Sequence, residues 1–327
     1  MHEIDLSLLL AGVVAGAAPI VLAGLGETMT EKSGLINLSL DGSILLSAMA
    51  AFVTAYLSHS GLFGFLVGAL VGAGLAGLVA LFSLYLHQSQ VAVGFVLTLT
   101  ARDLAYFLGN PYARLPGPQA AVHPVPLLDK IPLLGPVLFS HSWPVYLSLA
   151  LIPLCWWYIY RTPLGLQLRS MGEHPQAAYA RSIDPRKGQL LYALAGGLLV
   201  GLAGATFALA TKPGWGRPQG AEGTGWIALA LVIFGGWHPV KVAAGAYLFS
   251  FLQILGIYLQ EWLPSVPAQV FQVAPFPLMI FTLLLISLAQ KESLHHLAAE
   301  RPWLRPILKA FSGSAPSALG KEWSGRP

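Results

Sequence analysis

Apolar residues run along this chain in long blocks separated by short polar breaks. The blocks read as membrane segments over Leu6–Leu25, Leu35–Leu57, Leu62–Leu86 and Val91–Leu108. A fifth is bracketed by Trp143 and the aromatics Trp156, Trp157, Tyr158 and Tyr160. Leu190–Ala210, Val240–Tyr258 and Val273–Ala289 follow. A crossing helix needs about 20 apolar residues, so Trp226–Phe234 is too short to cross and reads as a half-helix. The pattern predicts an all-α polytopic transmembrane helix bundle of about eight or nine membrane segments, with broken or half-length helices among them.

Polar positions inside and between the blocks refine that picture. Glu27, Thr30, Glu31 and Lys32 read as a turn after the first block. Gly34–Ser43 holds Asn37, Ser39 and Asp41. It reads either as a broken or re-entrant start of the second segment or as an extension of that turn. Gly34–Gly42 and Thr224–Gly236 invite comparison as corresponding positions in two halves. Arg102 and Asp103 lie inside the fourth block, where charges face the bundle interior, pair, or sit near an interface; a structural ion pair and a substrate contact both fit. Gly64, Gly68, Gly72 and Gly77 in the third block and Gly196, Gly197, Gly201 and Gly204 in the sixth offer small faces for close helix packing. Seven prolines between Pro111 and Pro136 rule out a continuous helix over 109–139, leaving room for a short helix within Leu127–Leu138.

Charge then gives direction. Charged residues are 10% of the chain, against about 25% in a soluble domain. The net charge of +4 is concentrated in short loops and the tail, so it reflects topology rather than nucleic-acid binding. The stretch Arg161–Gln189 carries Arg161, Arg169, Arg181, Arg186 and Lys187 against Glu173 and Asp184, which marks it as cytoplasmic. Pro163 suits a helix start, and Gly172 and Pro175 interrupt the run, so one or two short surface helices are expected. They fit a partner-binding surface or a plain connector. Alternation then places the N-terminus and 109–139 outside and the basic C-terminal tail inside. Residues 1–291 read as the membrane domain. The tail, 292–327, reads as an amphipathic piece followed by a disordered end. The first block lacks a basic flank and a cleavage site, so it is expected to be retained.

Catalytic signatures are missing from the sequence. It has no G-x-x-x-x-G-K-[ST], no H-E-x-x-H and no G-x-S-x-G. The single cysteine, Cys155, excludes an intrachain disulfide and reads as a packing residue, and His295-His296 has no neighbouring ligand set. Transport therefore ranks above catalysis. An ion-driven carrier would need a titratable core, for which Asp41 and Arg102–Asp103 are the candidates.

Three stretches resemble the permease subunits of bacterial ABC importers for nucleosides, simple sugars and branched-chain amino acids. In Gly24–Gly42 the likeness rests on Glu31, Lys32, Gly34, Asn37-Leu38 and Asp41-Gly42, with Asp41 where that family more often has Glu. In Arg161–Asp184 it rests on Gly165, Arg169, Gly172, Glu173, Pro175, Ala177 and Ala178. In Gly225–Phe249 it rests on Ile227-Ala228-Leu229, Phe234-Gly235 and Trp237-His238-Pro239. The nucleoside branch is the nearest. The resemblance implies that 161–189 is a cytoplasmic coupling loop, with Gly165, Arg169, Gly172, Glu173, His174, Pro175, Ala177 and Ala178 at the contact with a separate ABC ATPase. ATP and Mg would be used by that subunit, with no cofactor or metal in this chain. A second permease subunit, identical or sister, and an extracellular or periplasmic substrate-binding protein would complete an importer in the bacterial inner membrane. Asn37, Asp41, Ile227 and Phe234 are the expected residues of the translocation path. Simple sugars or branched-chain amino acids are the alternative cargoes.

Overall fold

The computed structural model describes residues 6–132, 134–262, 266–267, 270, 277, 281, 284, 313–321 and 323. The segment expected at Val273–Ala289, the amphipathic part of the tail and the boundary at 291/292 lie outside the residues it describes as continuous structure. Seven described helices are long and apolar enough to cross a membrane, and a shorter apolar one joins them.

The first helix, α1 (Leu6–Lys32), runs through the polar residues expected to form a turn. Several of their polar groups are satisfied within the helix and by its neighbours, while one buried oxygen of Glu27 has no hydrogen-bond partner among the described residues. The Thr28 hydroxyl donates to the Gly24 carbonyl at 2.7 Å, and the Thr30 hydroxyl to Gly26 at 3.2 Å. Gly34, at φ +101°, then turns the chain. After the non-helical residues 35–39, helix α2 (Leu40–Ser58) starts, with Asp41, Gly42 and Ser43 in its first turn. The second segment is therefore a continuous helix only from Leu40, entered through a non-helical stretch in which Leu35, Asn37 and Ser39 are buried.

Next come α3 (Gly61–Leu84) and α4 (Gln90–Gly109), each capped by the hydroxyl of the preceding serine, Ser60 and Ser89. The loop beyond α4 is not purely helical. It holds the short helix α5 (Leu134–Leu138) and an antiparallel ribbon of β1 (Val122–Pro124) and β2 (Ser140–Ser142), with His123 opposite His141. The Tyr146 hydroxyl pins the ribbon by donating to the His123 carbonyl (3.1 Å) and accepting from the His141 amide (3.0 Å).

Helix α6 (Trp143–Arg161) delivers the chain to two short helices, α7 (Pro163–Glu173) and α8 (Pro175–Ala180). Thr162 caps α7, its hydroxyl accepting from Gly165 N at 3.0 Å, with Pro163 in the first turn. Asp184 caps α9 (Pro185–Thr206) through the amides of Arg186 and Lys187. A π-turn, Phe207–Thr211, ends that helix. The half-helix α10 (Thr224–Phe234) and α11 (Pro239–Trp262) follow. At 1.5 Å per residue α10 spans about 16 Å, half a bilayer core.

Helix α9 is central, packed on α1, α2 and α3; α4 lies on α2, while α6, α10 and α11 lie on α1. The α3–α9 contact is backbone on backbone. A Cβ at Gly72 would sit 2.4 Å from the Gly197 carbonyl oxygen and 2.5 Å from Gly201. Leu22, Leu45, Phe52, Val200 and Leu209 fill the core beside it.

Candidate functional site

Glu27 and Glu31, one helical turn apart on α1, organise the end of the bundle that carries the basic loop. Both carboxylates are buried. Glu27 accepts the Asn37 amide at 3.1 Å, and Glu31 accepts the indole N–H of Trp237 from the α10–α11 turn. Other segments hold the same α1–α2 turn. Gln90 accepts the Ile36 amide (2.8 Å), the Thr98 hydroxyl donates to the Leu38 carbonyl (2.7 Å), and Gln189 donates to the Ser33 carbonyl (2.9 Å). The pattern of apolar positions gave no sign of this role for Glu27 and Glu31. The available signal was their spacing of four, which puts both on one helix face.

Asn37 is fully enclosed, its side-chain oxygen accepting from the Ser39 amide (3.1 Å) and hydroxyl (2.6 Å). Asp41 reaches across 184 residues to accept the Gly225 amide at 3.1 Å. The residue before α10, Gly223, has no side chain to cap the helix, so Asp41 supplies the acceptor and negative charge that its N-terminus favours. The two stretches compared in the sequence thus meet directly. Ile227 is buried among Ile20, Leu25 and Val242, and Phe234 packs half-buried on the same group. Of the four expected path residues, Asn37, Asp41 and Ile227 are buried near the α2–α10 junction, and Phe234 lies half-buried at the far end of α10.

The two-helix loop connects to this junction through Tyr160. Arg169 of α7 and Lys32 of α1 lie over its ring at 5.4 and 5.6 Å, and His238 stacks on it at 5.2 Å. Burial, with the nearby cations of Lys241 and Lys32, holds the His238 imidazole below its ordinary range. Of the eight residues expected at the coupling contact, Gly165, Gly172 and Ala178 are buried within the chain itself. Ala178 packs with Ile159, Leu168, Met171 and Tyr192. A Cβ at Gly172 would lie 2.2 Å from the Lys32 carbonyl. These three shape the element. Glu173, His174 and Ala177 are exposed, and Arg169 and Pro175 are half-buried.

The end of the tail departs from the disorder expected of it. Residues 317–320 form a turn against the loop. Ser317 donates to the Glu173 carboxylate through its amide (3.1 Å) and hydroxyl (2.8 Å). The Ala318 amide donates to Gly172 (2.9 Å) and the Gly320 amide to Gly34 (3.1 Å). Trp323 lies beside Tyr179 and under Arg186. Sequence reasoning missed this because Ser, Gly and Pro carry no periodic signal; Glu173, Gly172 and Gly34 supply the partners.

At the other end of α4, Glu222 accepts from the Tyr106 hydroxyl and the amides of Gln219 (2.9 Å) and Gly220. Burial alone would raise the Glu222 carboxyl, but these hydrogen bonds outweigh it and hold the group below its ordinary range. Among the described residues no group of three His, Cys, Asp or Glu is placed to hold a metal ion. The arrangement offers polar links between helices.

Comparisons with known proteins agree with that character. The chain is 35% identical to the putative glucose ABC transporter permease protein TsgC13 of Haloferax volcanii, over 77% of this chain and 78% of that protein. It is 30% identical to the nucleoside ABC transporter permease protein NupC of Lactococcus lactis, over 86% and 92%. It is 29% identical to the guanosine ABC transporter permease protein NupQ of Bacillus subtilis, over 85% and 91%. No solved structure matches the chain. The family described as the permease component of branched-chain amino acid transport systems matches residues 9–286, so the chain belongs to this family of non-catalytic ABC transporter permeases.

Proposed function

We propose that this chain is the translocation subunit of an ATP-driven nucleoside importer, with α7–α8 docked on a separate ATPase on the cytoplasmic side. The observation that carries the docking is the exposure of large apolar side chains on these short helices. Leu164, Leu166 and Tyr179 are 53%, 60% and 52% exposed beside the exposed Glu173, His174 and Ala177. Exposed apolar groups rimmed by polar ones mark a protein interface. Movement of the docked loop would reach α1 and the α10–α11 turn through Arg169, Tyr160, Lys32 and His238, and from there the Asp41–α10 junction. A second permease subunit and an extracytoplasmic binding protein complete the importer, which sits in the inner membrane with the tail cytoplasmic.

Ala177 and Ala178 separate docking from folding. Ala177→Trp adds bulk to an exposed position and is expected to leave the permease folded while removing the ATPase from the purified complex. Ala178→Trp overfills the cluster around Ile159 and is expected to destabilise the loop itself. Full ATPase recovery with Ala177→Trp would contradict the docking. The nucleoside reading draws on the relatives named for nucleosides and guanosine, which align over more of the chain than the glucose relative does. The glucose relative has the higher identity, 35%, and supports a second reading as a simple-sugar importer. A solute-binding assay on the partner binding protein separates the two: nucleoside binding supports the first, binding of glucose alone the second.

A further inference from the structure

Helix α4 has three faces, and one of them does not suit lipid. Its packed face is a stripe of small residues, Gly94, Thr98, Ala101, Ala105 and Gly109, laid on α2. A Cβ at Gly42 of α2 would lie 2.4 Å from the Thr98 carbonyl oxygen. A second face exposes Val96 and Leu104, as a lipid-facing helix does, and runs on to Phe107 and Leu108 at the end of the helix. Between the two lie Phe95, Leu99, Arg102, Asp103, Tyr106 and Asn110. At ~100° per residue, these six fall within an arc of about 100°.

This third face carries charge at the middle of the span. The span runs Gln90–Tyr112, which puts Arg102 and Asp103 next to its midpoint. Their side chains are 46% and 74% exposed, and they contact each other at 3.6 Å. Exposed charge at that depth is expelled from hydrocarbon unless it meets water or protein. Helix α3 provides the contrast, since its large exposed side chains, such as Leu62, Leu66 and Leu70, are all apolar. The polar face also continues onto neighbouring elements. Arg217 lies over the Tyr106 ring at 4.9 Å, and the exposed Trp226 of α10 packs on Phe95 at 5.5 Å. Asp103, Tyr106, Asn110 and Arg217, with the apolar Phe107, Leu108 and Pro111, line an open cleft of ≈ 700 Å³ at the Asn110 end of the helix.

We propose that this face of α4, from Asn110 through Arg102–Asp103 to Phe95 and Trp226, is a wall of the water-filled path, in contact with the transported solute. The proposal rests on the transport reading above and adds a site outside the α2–α10 junction. Its chemistry suits an uncharged, hydroxyl-bearing ring compound. The two charges compensate one another, Tyr106 and Asn110 offer hydrogen bonds, and Phe95 with Trp226 offers aromatic faces for stacking.

Cysteine accessibility in the assembled importer tests this. The buried native cysteine is first removed as Cys155→Ala, and single cysteines are placed at Leu99 and Asn110 on the polar face and at Val96 and Leu104 on the apolar face. The variants are treated in opened membrane vesicles with a charged methanethiosulfonate. Thiols react as thiolates, which form in water and not in lipid. Leu99→Cys and Asn110→Cys should label about tenfold faster or more than Val96→Cys and Leu104→Cys, and uridine or glucose, whichever is carried, should slow Leu99→Cys. Equal labelling of both faces, or slow labelling at Leu99 whatever the solute, overturns the proposal while ATP-dependent uptake by the Cys155→Ala importer leaves the transport reading standing. Loss of ATP-dependent uptake in the complete wild-type importer overturns that reading and the proposal with it.

Discussion

Single side chains hold the junction at the basic end, and each makes a measurable contribution. Trp237→Phe leaves the ring in place but strips Glu31 of its indole donor. A buried acceptor left without its partner costs about 1–3 kcal/mol, so unfolding of the purified protein in denaturing detergent should shift by that amount. No shift would mean that the bond contributes nothing. His238 titrates below its ordinary range in the folded chain. As pH falls through about 6.5 the unfolded chain takes up a proton that the folded one refuses, so this contribution, complete above that pH, is lost towards the folded value. His238→Gln should flatten the fall in melting temperature between about pH 6.5 and pH 5; an unchanged slope would exclude the histidine as its source. Glu27 and Glu31 were legible as polar but not as buried, because averaged hydropathy ends a segment at a carboxylate whether or not partners await it. Trp237 lies 206 residues from Glu31, a distance that local patterns do not bridge.

Helices meet here through small residues and through one cap supplied from elsewhere in the chain. Asp41 caps α10, so Asp41→Ala should loosen the half-helix and lower both thermal stability and uptake. Asp41→Asn keeps an acceptor for the Gly225 amide and should retain most of both. Equal loss in the two variants would point to the charge rather than the hydrogen bond. Gly72→Leu forces a side chain into the Gly197–Gly201 backbone, where overpacking typically costs about 1–3 kcal/mol. Detergent-resistant folding measured by tryptophan fluorescence should fall accordingly. The two-helix loop was legible from Pro163, Gly172 and Pro175, because a fixed φ and a missing N–H act locally. The β1–β2 ribbon was not, because three-residue strands have no usable period and depend on Tyr146 for anchorage. The docked turn at Ser317–Gly320 was hidden for a similar reason, since its partners lie on α7 and the α1–α2 turn.

At the scale of the whole molecule, the long apolar blocks made the membrane bundle plain. The half-length of α10 was equally visible from its run of residues, though not its junction with α2. The exposed flank of α4 was visible only as two charges, Arg102 and Asp103, until the structure showed which face they occupy. The bundle is a frame of close-packed glycine-rich helices, with a mobile-partner surface proposed at one end and a polar flank running towards the other. The central claim is that this frame moves a nucleoside when an attached ATPase is driven. The most direct measurement is uptake of labelled uridine and labelled glucose into proteoliposomes holding the complete importer, with and without ATP and with and without this chain. We expect uridine uptake that requires both. Uptake of glucose alone would contradict the cargo, and solute uptake that persists without ATP or without this chain would contradict the claim itself.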